Sequence, residues 1–193
     1  MTDPITDGEE EAQRIILAQA GDQDAFDALV RSHFARVYAL LFRMHSNHED
    51  AEDLAQECFI KAQRSIQFFR AESSFSTWLY RIALHQSRDH FRSRSRRPRL
   101  APLPEEGMPA SSTSGPLTES LTREMGTALR DAIDQLPHKL RAALLLRTQE
   151  GMEYEQMASV LECNPQTARV HVMKARRRLT AWLEDWKQGE GTR

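Results

Sequence analysis

The amino-acid sequence predicts an all-α protein of two small helical domains joined by a flexible linker. Apolar residues recur every three or four positions through most of the chain, which is typical of amphipathic helices. Residues 98–118 interrupt this pattern with five of the eight prolines, a composition that disfavours packed helix. No segment alternates apolar and polar residues for long enough to indicate a sheet. We therefore expect domains at 1–97 and 119–187, the linker at 98–118 and a disordered tail at 188–193.

Three amphipathic helices are expected in the N-terminal domain. The first begins near Asp24 and carries apolar residues at helical spacing through Met44. A polar break separates it from a second helix, whose apolar stripe runs from Ala51 to Ile66. The third begins at Phe75 with a short apolar stripe and becomes rich in arginine through Arg97, as a nucleic-acid-binding helix can.

Residues 153–179 of the C-terminal domain have the layout of a helix-turn-helix. Helical patterning resumes near Glu119, and Pro137 restarts a helix that ends near Gly151. A short helix over 154–161 then precedes the turn 162–164. Asn164 followed by Pro165 is a strong start signal for the second helix, and the small side chain of Ala158 allows the two helices to cross closely. Such turns usually have glycine where Glu162 stands, so the sequence predicts either a negative φ there or a strained residue.

The outer face of the second helix is the candidate surface for duplex DNA. Arginine and lysine reach guanine acceptors in the major groove, glutamine suits adenine or a phosphate, and residues further along the helix hold phosphates. Two short helices alone could form a plain αα-hairpin, but the basic face favours DNA binding. The candidate residues are Gln166, Arg169, Val170, Met173, Lys174, Arg176 and Arg177.

Aromatic and basic residues interleave around the start of the third helix. Aromatic faces beside positive charge are what unpaired bases require, because stacking accepts any base. For each aromatic residue taken alone, burial in the core is the simpler interpretation. The set comprises Phe68, Phe69, Phe75, Trp78, Tyr80, Arg81, His85 and Arg88.

The net charge of −2 conceals two opposed regions. Residues 1–60 carry thirteen acidic residues and four arginines, whereas residues 75–99 carry seven arginines and one aspartate. This asymmetry indicates two kinds of partner. An acidic face over 50–57 is either solvated surface or a docking surface for a basic helix of a partner protein; its members are Asp50, Glu52, Asp53, Gln56 and Glu57.

Several other classes of protein are disfavoured. No glycine-rich phosphate loop, nucleophile elbow or HExxH motif is present, so we expect neither an enzyme nor a cofactor. His45 and His48, or the two cysteines, are the remaining candidates for a metal site, and without a CxxC motif we expect none. No apolar run approaches the length of a membrane span, and the acidic N-terminus is not a secretory signal. We expect a cytoplasmic protein.

Two long runs resemble the extracytoplasmic-function (ECF) group of bacterial RNA polymerase sigma factors. The runs GDQDAFDALV and AEDLAQECFIKAQRSIQFFRAESSFSTWLYRIALHQSRDHFR resemble sigma region 2, and LRDAIDQLPHKLRAALLLRTQEGMEYEQMASVLECNPQTARVHVMKARRRL resembles region 4. Together they cover about three quarters of the chain in the family's order. The combination of AEDLAQE with STWLYRIA is the most specific part of the resemblance.

The resemblance implies a dissociable initiation subunit that binds core RNA polymerase and melts the −10 region for a stress- or signal-responsive gene set. By position, Asp50, Asp53, Gln56 and Glu57 would dock on the polymerase, and the candidate residues of the second helix would read the duplex −35 element. It also implies an anti-sigma factor, which, if membrane-bound, would hold the protein at the inner membrane face. Residues that would capture single-stranded −10 bases are Phe69, Ala71, Glu72, Ser73, Phe75, Trp78, Tyr80, Arg81, His85 and Arg88.

The alternative is a dimeric helix-turn-helix regulator that binds an operator without polymerase. That alternative explains residues 153–179. It leaves the acidic face and the aromatic-basic segment without a role, and the sequence shows no evident self-association surface.

Overall fold

The structure, a computed structural model, describes the backbone of residues 4–96 and 126–190 and the side chains of 8–94 and 126–186. These residues form helices and turns without strands, which confirms the predicted all-α class. They divide into two compact units, one within Met1–Phe91 and one within Arg92–Arg193. The predicted linker 98–118 lies outside the described residues, so its boundaries stay predictions.

Four α-helices and a short 3₁₀ turn make up the described part of the N-terminal unit. Asp22 caps the helix that begins at Gln23 by accepting a hydrogen bond from the Ala25 amide at 2.9 Å. Asn47 caps the helix that begins at His48 by accepting one from the Asp50 amide at 2.7 Å. The elements are α1 (Pro4–Gln19), α2 (Gln23–His45), α3 (His48–Ser65), the 3₁₀ turn (Ile66–Phe68) and α4 (Phe75–Arg96).

Helix α1 contradicts the expectation that the first helix begins near Asp24. It is acidic and presents Ile16 and Leu17 to solvent. Long-range polar contacts hold it in place. The Glu11 carboxylate bonds the buried His33 ring of α2 at 2.9 Å, and the Gln19 amide reaches the end of the 3₁₀ turn. These tertiary contacts add to the stability of a helix that the sequence prediction missed.

Small side chains on α3 allow close helix packing in the N-terminal core. Ala51, Ala55, Cys58 and Ala62 are fully buried. Large apolar side chains of α2 and α4 fill the remaining space, and burying each one contributes about 1.5–3 kcal/mol. These are Leu29, Val37, Leu40, Leu41, Met44, Phe75 and Leu79.

The C-terminal unit is described as four helices. They are α5, described over 126–134, α6 (His138–Thr148), α7 (Tyr154–Leu161) and α8 (Pro165–Glu190). A core of Leu136, Leu140, Leu144 and Ala175 joins α6 to α8. Helix α8 continues to Glu190, three residues beyond the expected domain end at 187.

Candidate nucleic-acid interface

The helix-turn-helix is formed by α7 and α8, as the sequence predicts. Met157, Ala158 and Val160 of α7 are buried, and Leu161 is half-buried. The Asn164 side chain accepts a hydrogen bond from the Thr167 amide at 2.7 Å and so caps α8 directly before Pro165. This cap fixes the angle at which the second helix leaves the turn.

Glu162 adopts the left-handed conformation, with φ +52° and ψ +52°. Of the two predicted outcomes, the structure therefore has the strained one. The Glu162 amide donates to the Ala158 carbonyl and closes the last turn of α7. The geometry of the turn is kept at an energetic cost that glycine would avoid.

The candidate DNA-binding residues lie together along α8. Its opposite face is buried through Ala168, Val172 and Ala175. Val170 is half-buried, and Met173 has 60% of its surface exposed. The remaining candidates are all exposed, namely Gln166, Arg169, Lys174, Arg176 and Arg177. The helix thus presents a continuous cationic surface with one exposed apolar side chain in its middle.

A second feature of this surface was not foreseen from the sequence. The Arg169 guanidinium lies over the Tyr154 ring, 4.9 Å from its centroid, and the Arg147 guanidinium lies 5.0 Å from the same centroid. Arg147 also pairs with Glu153 at 3.1 Å and donates to the Met152 carbonyl at 2.7 Å. The ring and the two guanidiniums come from three different helices, so no local sequence pattern predicts their contact.

His171 lies on the same helix and is half-buried. Burial lowers its pKa below the usual 6.5, and the nearby charges of Lys139 and Lys174 lower it further. The imidazole is therefore neutral at neutral pH and adds nothing to the positive charge of α8.

The aromatic residues expected to capture bases are buried in the N-terminal unit. Phe69, Phe75 and Trp78 form a cluster with ring centroids 5.2–5.6 Å apart. Tyr80 has only 2% of its surface exposed. For these four residues the structure agrees with the simpler interpretation, core packing. Their direct contact with bases stays a prediction.

The loop between the 3₁₀ turn and α4 supplies exposed groups instead. Of the other −10 candidates, Ala71, Glu72 and Arg81 are exposed, and Ser73, His85 and Arg88 are half-buried. Arg88 bonds His85 at 2.9 Å. The most exposed aromatic is Phe68, with 73% of its surface accessible directly before the buried Phe69. Sequence reasoning placed Phe68 in the aromatic-basic segment but did not separate it from its buried neighbours.

Polar contacts fix both ends of this loop. The Gln19 amide donates to the Ile66 carbonyl at 3.1 Å and to the Phe69 carbonyl at 2.7 Å. At the other end, the Ser74 hydroxyl accepts from the Thr77 amide at 3.2 Å and caps α4. Ala71 has φ +55° at the middle of the loop. The loop is therefore held in a defined conformation.

The acidic face of α3 is mostly open to solvent. Asp53, Gln56 and Glu57 are exposed, and Asp50 is half-buried beside His90 at 3.4 Å. Glu57 accepts a hydrogen bond from the α4 side chain Gln86 at 3.2 Å. Ile60, 48% exposed, continues the face at helical spacing. The face combines carboxylates with an apolar side chain, as protein interfaces commonly do.

Comparison with known proteins assigns the chain to a protein family. Residues 29–97 match the model of Sigma-70 region 2, and residues 126–179 match that of Sigma-70 region 4. The chain is 35% identical to the RNA polymerase sigma-H factor of Pseudomonas aeruginosa, over 91% of this chain and 95% of that protein. It is 38% identical to the ECF RNA polymerase sigma-E factor of Haemophilus influenzae, over 82% of this chain and 87% of that protein.

The chain is an ECF-type RNA polymerase sigma factor. It supports promoter-specific initiation by RNA polymerase, and its relatives are initiation factors rather than enzymes. The region 2 match covers the acidic face and the aromatic-basic segment, which the dimeric operator-binding alternative leaves without a role.

Solved structures show the same fold. CnrH, determined with the cytosolic domain of CnrY, matches with a TM-score of 0.68 and 22% identity, over 91% of this chain and 98% of that chain. The sigma factor RpoE of Bartonella quintana, determined with the anti-sigma factor NepR, matches with a TM-score of 0.67 and 24% identity, over 82% of this chain and 96% of that chain.

Both cysteines of this sigma factor are free thiols with raised pKa values. Burial raises the pKa of Cys58 to about 12, and burial also raises that of Cys163. Both thiols are therefore protonated at neutral pH. Among the described side chains, no group of three or more His, Cys, Asp or Glu is placed to hold a metal. No helix in the described segments has the length and hydropathy to cross a membrane.

Proposed function

We propose that this sigma factor recognises its promoter through two separate surfaces and docks on core polymerase through a third. In this proposal α8 reads the duplex −35 element, and the acidic face of α3 binds the polymerase. The 66–74 loop, defined as the 3₁₀ turn together with the segment between it and α4, captures bases of the melted −10 element. The observation that carries the proposal is the exposed cationic face of α8, behind a capped helix-turn-helix.

The −35 contact is supported by the position of the charges along α8. Arg169 lies near the N-terminal end of the helix, the part that reaches base edges in the major groove. Arg176 and Arg177 lie two turns further, where phosphates are in reach. Replacing Arg169 or Lys174 with Ala should each weaken −35-dependent activity by about 1–3 kcal/mol.

Melting of the −10 region is supported by the exposed groups of the fixed loop. Phe68 offers an aromatic face to solvent. Arg70, two positions later, and Arg81 on α4 are also exposed. A base that leaves the duplex loses stacking, and an aromatic face restores about 1–3 kcal/mol of it. Phe69 of the loop packs against Phe75 and Trp78 of α4 in a buried cluster, which anchors the loop to that helix.

Docking on polymerase is supported by the exposed carboxylates of α3. Asp53 and Glu57 are one helical turn apart on one face, with Ile60 one turn further. A basic helix of the polymerase would pair with the carboxylates and cover the apolar side chain.

We further propose that an anti-sigma factor controls the protein in the cytoplasm, and that the genes it serves respond to a stress or other signal. The sigma factor RpoE of Bartonella quintana was determined with the anti-sigma factor NepR, and CnrH with the cytosolic domain of CnrY. A membrane-bound anti-sigma factor would hold this chain at the inner membrane face until the signal releases it.

Permanganate footprinting tests the melting surface. Holoenzyme is assembled from core polymerase and this protein, and unpaired thymines of the open complex are detected with permanganate. Phe68→Ala should reduce thymine reactivity in the −10 element while leaving polymerase binding intact, because it removes only the exposed ring.

The docking surface is tested by reversing its charge. The double change Asp53→Lys with Glu57→Lys should weaken co-elution with core polymerase. The matched control, Glu9→Lys with Asp24→Lys, alters the same amount of exposed charge in the same unit and should bind normally. Equal polymerase binding by the two double variants would show that the acidic face is only solvated surface. Full thymine reactivity in Phe68→Ala would show that the exposed Phe68 ring has no role in melting.

A further inference from the structure

The ring of Tyr154 connects three helices at the edge of the candidate −35 surface. Arg147 reaches it from the last turn of α6, Tyr154 is the first residue of α7, and Arg169 reaches it from the second turn of α8. Arg147 is bound independently by Glu153 and the Met152 carbonyl. The Glu153 carboxylate offsets the Arg147 charge, which allows a second guanidinium to share the ring.

The contacts of Arg169 differ from those of Arg147. Within residues 126–186, no carboxylate pairs with Arg169, and the ring contact is the interaction that the structure gives its guanidinium. Its side chain is otherwise exposed. A ring under the guanidinium plane restricts the orientation of that plane and leaves the N–H donors at its edge open.

We infer that Tyr154 is a positioning residue that orients the Arg169 guanidinium for base recognition and thereby sets specificity at one position of the −35 element. This inference rests on the proposed −35 role of α8. A long arginine loses rotamer freedom when it binds, and ordering it beforehand reduces that loss. Because bidentate contact with guanine requires a fixed plane, pre-orientation favours guanine over other bases.

A phosphate contact by Arg169 would require no such orientation. Glu155 lines the same shallow depression as Tyr154, Gln166 and Arg169. Its carboxylate would repel a phosphate, whereas the cytosine paired with a guanine offers an N4 amino donor that a carboxylate accepts. The charges around the ring therefore favour a base edge as the partner of Arg169.

The test measures base preference at each −35 position with holoenzyme and a library of promoters in which this element is randomised. Arg169→Ala should abolish preference at one position, which tests the proposed role of α8. Tyr154→Leu should weaken preference at that same position by about two- to fivefold, as expected for an exposed cation–π contact. Tyr154→Phe keeps the ring and should behave as wild type. Lys174→Ala should alter a different position.

The double variant separates positioning from general damage. Tyr154→Leu should have no additional effect in the Arg169→Ala background and should add to Lys174→Ala. Weakening at all positions equally, or additivity with Arg169→Ala, would show that Tyr154 only supports the fold and would overturn the inference. So would unchanged preference in Tyr154→Leu.

A DNA-free measurement distinguishes failure of the inference from failure of the proposed function. The order parameter of the Arg169 Nε–H group in the free full-length protein should fall in Tyr154→Leu and stay unchanged in Tyr154→Phe. Arg177, exposed further along α8, is the internal reference and should not respond. An unchanged order parameter at Arg169 would contradict positioning, whatever the outcome with promoters.

Discussion

The left-handed conformation of Glu162 predicts that glycine at this position stabilises the C-terminal unit. An L-residue in this region costs about 1–2 kcal/mol relative to the right-handed conformation. Glycine avoids this cost but loses more backbone entropy on folding, by about 0.5–1 kcal/mol. The expected net gain of Glu162→Gly over Glu162→Ala is about 0.5–1 kcal/mol. Comparison with alanine is necessary because both changes remove whatever the Glu162 side chain contacts.

Gly151 provides the opposite substitution in the same unit. Its φ is +63°, and a Cβ added there meets nothing within 4 Å. Gly151→Ala therefore tests the backbone cost without a steric clash, and it should destabilise the unit by about the amount that separates Glu162→Ala from Glu162→Gly. The difference between Gly151 and Gly151→Ala and the difference between Glu162→Gly and Glu162→Ala therefore measure the same backbone cost at two positions.

Hydrogen exchange at the buried turns of α8 is the suitable assay. It reports the free energy of opening of this unit alone, whereas a melting curve would combine both units. Slower exchange of the Ala168 and Val172 amides in Glu162→Gly than in Glu162→Ala is the expected result. Equal exchange in those two variants, together with a destabilised Gly151→Ala, would refute the claim that Glu162 carries backbone strain.

Two further predictions concern helix α1. Gln19→Leu removes the donor to two carbonyls at the start of the 66–74 loop and should raise hydrogen exchange there, at a cost of about 1–2 kcal/mol, whereas the exposed Gln13→Leu should not. The hydrogen bond from His33 is the main cause that lowers the pKa of Glu11 below its usual 4.5. The Glu11–His33 hydrogen bond therefore contributes fully to stability above about pH 4.5, and this contribution is lost as the pH falls through the lowered pKa of Glu11. Protection of α1 amides should decline in acid in the wild type and less so in Glu11→Gln, with Glu9→Gln as the control; identical profiles for wild type and Glu11→Gln would contradict this linkage.

The C-terminal unit was largely predictable because its signals are local. Asn164 and Pro165 mark the start of α8, and the spacing of Ala168, Val172 and Ala175 separates its buried face from its exposed one. The backbone of Glu162 was not predictable. A negative φ and a strained positive φ were both compatible with glutamate, and packing of the whole turn selected the second.

The N-terminal unit shows where sequence reasoning fails. The prediction missed helix α1, which makes polar contacts with residues 22 to 50 positions away that a local pattern does not record. The spacing of apolar residues also does not show which of Phe68 and Phe69 is exposed, because neighbouring aromatic residues at a helix end can point either way. The exposure of Phe68 follows from the 3₁₀ turn and the buried cluster beneath it.

The contact of Tyr154 with two arginines could not be predicted from the sequence for a related reason. Arg147 and Arg169 are 22 positions apart, and their approach requires the mutual packing of α6, α7 and α8. The recognition face could be read from one helix, but the residue that orients its arginine lies on another.

The central claim is that this chain directs polymerase through three surfaces of its own. In vitro transcription with purified bacterial core RNA polymerase, with and without the protein, on fragments of its own genome tests this most directly. New start sites that require the protein, share −35 and −10 motifs and are lost with Arg169→Ala are the predicted result. Protein-dependent start sites that Arg169→Ala leaves unchanged would contradict the role of α8. If the protein produced no new start sites and also failed to co-elute with core polymerase, all three proposed surfaces would be contradicted.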